Sequence, residues 1–64
     1  MHSGVIIEEA RKALGLTQER LGELAGVDHS TVSRIERGLT NPPARTIKAL
    51  TDALGQAKAE RGAA

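Results

Sequence analysis

Cysteine is absent from the 64 residues, and so are phenylalanine, tryptophan and tyrosine. Without cysteine, disulfide frameworks, thiolate zinc sites and thiol catalysis are excluded. Without aromatic rings, a core must be built from Leu, Ile, Val and Ala. The platforms on which unstacked bases of single-stranded nucleic acid rest are missing as well. Histidine occurs only twice, and no carboxylates are spaced beside it to complete a metal centre, so neither metal nor cofactor is expected. Long apolar runs are also missing, since none approaches the roughly 18 residues of a membrane span. The first residues show no basic region followed by an apolar stretch, so no signal peptide is expected. A soluble, cytoplasmic protein is the resulting expectation.

What is present fits one small globular domain. Hydrophobic residues make up 39% of the chain, too many for a disordered segment. At this length the core is marginal, and binding or dimerisation would add stability. The net charge is only +1, but its distribution is uneven. Residues 1–28 carry Arg11, Lys12 and Arg20 against Glu8, Glu9, Glu19, Glu23 and Asp28, a balance of −2. Residues 29–48 carry Arg34, Arg37, Arg45 and Lys48 against Glu36, a balance of +3. One basic segment in a near-neutral domain can offer a local footprint to phosphates.

The periodicity predicts an all-α fold with four helices. The first spans about Gly4 to Leu14, with Ile7, Ala10, Arg11 and Leu14 on one face. Ser3 is its expected cap, Glu8 and Glu9 fall in its first half, and Gly15 ends it. Thr17 caps a second helix from Gln18 to Ala25, with Leu21, Leu24 and Ala25 inward. Gly26, Val27 and Asp28 make a tight connection. Asp28 then caps a third helix from His29 to Arg37, with Val32 and Ile35 inward and Gly38 as its stop. Leu39 to Pro43 is a loop stiffened by two prolines, and Pro43 occupies or precedes the first turn of a fourth helix. That helix runs from about Ala44 to Leu54 through Ile47 and Leu50. A domain over 1–55 is expected. Residues 56–64 follow as a polar tail, frayed or weakly helical.

Two short helices joined by about three residues are the feature with functional content. A bihelical unit crossing near a right angle needs a small residue where its helices meet and a residue tolerant of positive φ at its turn. Gly22 fits the first need and Gly26 the second, while Val32 and Ile35 pin the second helix of the pair. Asp28-His29-Ser30 is no catalytic triad. Adjacent helical residues point about 100° apart, so acid, base and nucleophile cannot line up. No catalytic residue is expected, and no enzyme.

The stretch from Leu16 to Gly38, with its "GLTQ", "LAG" and "S-x-IERG" pieces followed by "NPP" and an amphipathic helix, resembles the phage-repressor type (Cro/cI, XRE-type) helix-turn-helix DNA-binding domain. The resemblance covers roughly residues 5–55. It implies a lambda-repressor-like four-helix domain, or five-helix if the tail contributes. Its helix-turn-helix lies at residues 18–37, and the third helix enters the major groove of double-stranded DNA. It implies base contacts from His29, Ser30 and Arg34, with Ser33 on the same outward face. Arg34 suits the O6 and N7 of guanine. It implies that Gln18 holds a phosphate and braces the third helix, with further phosphate contacts from Thr17, Arg37 and Asn41, which fix register rather than read sequence. Finally it implies an ion pair between Arg11 and Glu36, since a charge on an apolar helix face needs a partner.

Many members have a fifth helix whose apolar residues complete the core and often the dimer seam, whereas residues 56–64 offer only alanines for that purpose. A loop that is basic in some members is here Leu39-Thr40-Asn41-Pro42-Pro43. Sequence-specific duplex binding by a repressor-like regulator, as a homodimer on a palindromic site and nucleoid-associated when bound, is the leading expectation. The alternative is an antitoxin or other module of this fold that binds a protein partner, a toxin or a regulator.

Overall fold

The computed structural model describes residues 2–62, in which four helices follow one another without a strand: α1 (Ser3–Ala13), α2 (Gln18–Ala25), α3 (His29–Glu36) and α4 (Ala44–Gly62). The bounds of α2 are those expected from its punctuation. Thr17 is extended and its hydroxyl accepts from the Arg20 amide at 2.9 Å. The helices α1, α2 and α3 each finish on a glycine in the left-handed region, Gly15, Gly26 and Gly38. Such a residue lets the next amide turn back onto a terminal carbonyl. The amides of Leu16, Val27 and Leu39 accordingly reach the carbonyls of Arg11, Gly22 and Arg34 at 2.8–3.0 Å.

The start of α1 differs from expectation. Ser3 is the first helical residue and His2, extended at φ −93 and ψ 162, holds the cap position without a side-chain bond. A hydroxyl caps only from the extended residue before the helix, so Ser3 sits one place too late. Glu8 and Glu9 consequently lie in mid-helix, with no acidic residue in the first turn, whereas Arg11 and Lys12 occupy the last turn, where the dipole favours cations. Pro43 precedes α4, and its carbonyl accepts from the amides of Thr46 and Ile47 at 3.0 and 3.2 Å. At the far end of α3 the helix closes at Glu36 and Arg37 is the cap.

The core is wholly aliphatic: Ile7 of α1, Leu21 of α2, Val32 and Ile35 of α3, and Leu50, Ala53 and Leu54 of α4. It sits where α2 packs on α3 and α4, closed from the other side by α1. Burial of a single Leu or Ile contributes about 1.5–3 kcal/mol, so these few side chains carry most of what holds the helices together. Gly4 is buried because α1 approaches the end of α3 closely, and a methyl group at position 4 would overlap the Ile35 carbonyl. Periodicity along α1 contains no signal of this contact.

Of the two forms expected for the tail, the described residues take the helical one: the fourth helix passes Leu54 and Gly55 without a break to Gly62. Gln, Ala, Lys, Glu and Arg are strong helix formers, and they offset the roughly 1 kcal/mol that one glycine costs. A tertiary contact helps, since Arg61 donates to the Ala13 carbonyl at 2.8 Å, at the carboxyl end of α1. The last two residues of the expected tail, Ala63 and Ala64, lie outside the described residues. Gly55 has helical backbone and open space where a Cβ would go. Gly55→Ala is therefore expected to stabilise the protein by about 0.5–1 kcal/mol, a rise in Tm of roughly 2–8 °C for a domain this small. A thermal melt followed by circular dichroism checks it.

Candidate nucleic-acid interface

Residues 26–28 join α2 to α3, and two glycines make so short a joint workable. Gly26 takes φ 71. Gly22 is buried at the crossing, where a methyl group would overlap the Val27 carbonyl oxygen and lie 3.4 Å from the His29 nitrogen. The two needs assigned to these glycines are thus met at the positions expected. Val32 and Ile35 anchor α3 from beneath, exposed by 0% and 1%.

A second anchor is polar. Arg11 donates from Nε to Glu36 Oε2 at 2.8 Å and from Nη2 to Glu36 Oε1 at 3.0 Å, a bidentate pair in which the Glu36 side chain is wholly excluded from solvent. The third guanidinium nitrogen donates to the Leu16 carbonyl at 2.7 Å. Gln18 completes the set, its amide nitrogen donating to Glu36 Oε1 at 3.0 Å. One carboxylate at the end of α3 therefore receives donors from α1 and from the first residue of α2. The Glu36 hydrogen bonds raise the Arg11 pKa above its ordinary high value, against the opposing effect of burial. The family resemblance gave the pair and gave Gln18 as a brace for the third helix, but not the Leu16 carbonyl, nor Glu36 as the partner of Gln18. Leu16 and Gln18 lie near Arg11 only because the turn after α1 folds back, which spacing does not reveal.

The outward side of α3 follows from helical geometry. At about 100° per residue, positions 29, 30, 33, 34 and 37 fall within an arc of roughly 140°, and Val32, Ile35 and Glu36 lie on the opposite arc. The burial pattern agrees: His29, Ser30, Arg34 and Arg37 are exposed and Ser33 is half-buried. All of the residues expected to read bases are thus on one accessible face. Arg34, Arg37 and Arg45 form no ion pair among the described residues, whereas Lys48 pairs with Asp52 at 3.0 Å. Arg34 and Arg37 on this face, and Arg45 at the start of α4, therefore keep their donors for an outside anion.

Of the residues expected at phosphates, Thr17 and Gln18 open α2, Arg37 closes α3, and Asn41 lies in the loop before α4. Thr17, Arg37 and Asn41 are exposed. Thr17 uses its oxygen to cap α2, which leaves its proton for a phosphate. Gln18 is half-buried and already bonded to Glu36, which leaves its second amide hydrogen and its carbonyl.

Asp28 departs from its expected part. It holds the cap position of α3, yet its side chain makes no capping bond to the backbone. Its carboxylate instead accepts the hydroxyl proton of Ser30. That bond is the main reason the Asp28 pKa lies below the usual carboxylate range, with smaller contributions from the nearby His29 and Arg34. The D-x-S spacing was a visible signal of this contact.

Among the described residues, no cluster of His, Asp and Glu side chains could hold a metal ion, and no helix is long and apolar enough to cross a membrane. A family model described as "Helix-turn-helix" matches residues 7–60. An uncharacterized HTH-type transcriptional regulator of Methanothermobacter thermautotrophicus is 41% identical over 51 residues, covering 80% of this chain and 74% of the relative. An uncharacterized HTH-type transcriptional regulator of Haemophilus influenzae is 40% identical over 47 residues, 73% of this chain and 48% of the relative. The HTH-type transcriptional regulator PuuR of Escherichia coli is 35% identical over 57 residues, 89% of this chain and 31% of the relative. The chain thus spans from about a third to three-quarters of the length of these proteins. No solved structure matches it significantly.

Proposed function

The chain belongs to the helix-turn-helix family of XRE type, and from that premise we propose that it regulates transcription by binding duplex DNA with α3 in the major groove. The observation that carries this reading is the accessible face of His29, Ser30 and Arg34 on a helix anchored from behind by Val32, Ile35 and Glu36. A groove about 12 Å wide admits such a helix. Relatives named as transcriptional regulators support the same reading.

In this reading Arg34 bonds O6 and N7 of a guanine, His29, Ser30 and Ser33 meet neighbouring base edges, and Thr17, Gln18, Arg37 and Asn41 hold phosphates. The protein acts as a repressor-like factor in the cytoplasm, nucleoid-associated when bound. The alternative of a module that binds a toxin or other protein partner has no specific observation among the described residues in its favour.

Selection of bound duplexes from a random pool tests the proposal. An enriched site is expected, and its absence would sink the reading. Two half-sites about 34 Å apart along the duplex would mark a homodimer on a palindrome. Arg34→Ala should relax preference at one position by about 1–3 kcal/mol, whereas Gln18→Ala should weaken binding to all duplexes alike. Affinity should fall steeply with added salt as counterions compete for the phosphates. Equal ranking of duplexes by wild type and Arg34→Ala would remove the assigned role of Arg34.

A further inference from the structure

The geometry points to Asp28 as a positioning residue that fixes which bases Ser30 can read, an inference that rests on the duplex-binding reading above. A serine hydroxyl ordinarily offers a base one donor and two lone pairs and rotates to suit, so serine reads either kind of base edge. Here the proton is committed, because Ser30 Oγ donates it to the Asp28 carboxylate. A hydrogen bond to an ionised acceptor is roughly twice as strong as one between neutral groups. An aspartate is ionised at neutral pH in any case, and the Ser30 bond only lowers its pKa further. Both residues are exposed at the start of α3, so the hydroxyl faces outward with lone pairs only.

An acceptor-only hydroxyl selects bases that present a donor in the major groove. Those are the N4 amino group of cytosine and the N6 amino group of adenine. Guanine offers only N7 and O6 there, and thymine O4. The amino end of α3 thus asks for a donor while Arg34, one turn on, asks for acceptors. The two ends of one helix read opposite chemistry.

The experiment is duplex selection from a random pool with four proteins: wild type, Ser30→Ala, Asp28→Ala and Asp28→Asn. Ser30→Ala marks the base position that Ser30 reads, where preference flattens. In the wild-type site that position is expected to hold cytosine or adenine, about fivefold above guanine or thymine, the ratio worth one net hydrogen bond. Asp28→Ala releases the proton, and the preference there falls to under about twofold. Asp28→Asn keeps an oxygen that accepts the proton and restores it. Both Asp28 variants remove a negative charge that opposes the phosphates, so both bind every duplex more tightly. Only the base distribution at this one position separates them, and a merely structural role for Asp28 would leave it unmoved.

Guanine or thymine at the Ser30 position, no position sensitive to Ser30→Ala, or an unchanged distribution in Asp28→Ala each overturns the inference while leaving duplex binding intact. Absence of any enriched site in wild type overturns the duplex reading itself. Should Asp28→Ala fail to fold, the base at the Ser30 position in the wild-type site decides alone.

Discussion

An Arg11→Met protein is expected to lose about 3–5 kcal/mol of stability, the usual result of removing one partner of a buried ion pair. The cause is what stays behind. Glu36 is 4% exposed and takes two of its three side-chain hydrogen bonds from Arg11. Without the guanidinium its charge is buried with only Gln18 beside it, and the Leu16 carbonyl also loses its donor. Small domains have little margin, so the variant should be largely unfolded near 37 °C. Urea unfolding checks the loss. Pairing Arg11→Met with Glu36→Leu should recover much of it, because apolar groups of similar volume often replace a buried pair at little cost. A variant as stable as wild type would show that the pair contributes nothing.

Raising the pH cannot substitute for this variant. The Arg11 pKa is raised on folding, so its stabilising effect is complete below the unfolded value and is lost only as pH rises through the folded one. Both lie beyond any pH at which the protein would be handled.

The second large effect is expected from Gly22→Ala. Alanine at an exposed helical site gains up to about 1 kcal/mol over glycine, and Gly55→Ala should show that gain. At position 22 the added methyl overlaps the Val27 carbonyl oxygen and crowds the His29 amide. These are backbone atoms, which have no rotamer with which to move aside. Either α2 and α3 part or the turn deforms. Overpacking of this kind costs about 1–3 kcal/mol beyond the lost helix gain. Because the strain falls at the root of α3, affinity for every duplex should drop by at least about tenfold, which corresponds to 1.4 kcal/mol of misplacement. One substitution thus has opposite signs at two glycines. Melting curves of both variants and a duplex titration of Gly22→Ala decide it, and equal stabilisation of both would refute the close crossing.

Local punctuation explains why the middle of the chain was legible. Thr17 before α2 and Gly26 after it act on their own neighbours, so the bounds Gln18–Ala25 follow from sequence. The face of α3 follows from a period. Gly55 left the end of α4 undecided, between a frayed tail and a helical extension, for the complementary reason. A glycine stops a helix only where the chain takes the left-handed region, and Gly55 does not, since the positive-φ glycines are Gly15, Gly26 and Gly38. What held the helix beyond it, Arg61 on the Ala13 carbonyl, joins residues 48 apart. Gly4 under the Ile35 carbonyl was hidden likewise, because no spacing along α1 encodes a distant backbone. The Arg11–Glu36 pair, 25 residues apart, came from family likeness. Burial required a partner for Arg11, but the residues alone did not say which.

The last turns of α4 have a thermodynamic consequence. Beyond Leu54 the helix lies largely on the surface, with Ala57 half-buried and Arg61 reaching back to α1. Its amides open at a lower free energy than those of the core helices. Deuterium should therefore enter residues 57–62 well before Leu21 or Leu50 exchanges. Ellipticity should decline gently on warming before the cooperative step, a slope that belongs to fraying of one helix end and not to loss of the fold.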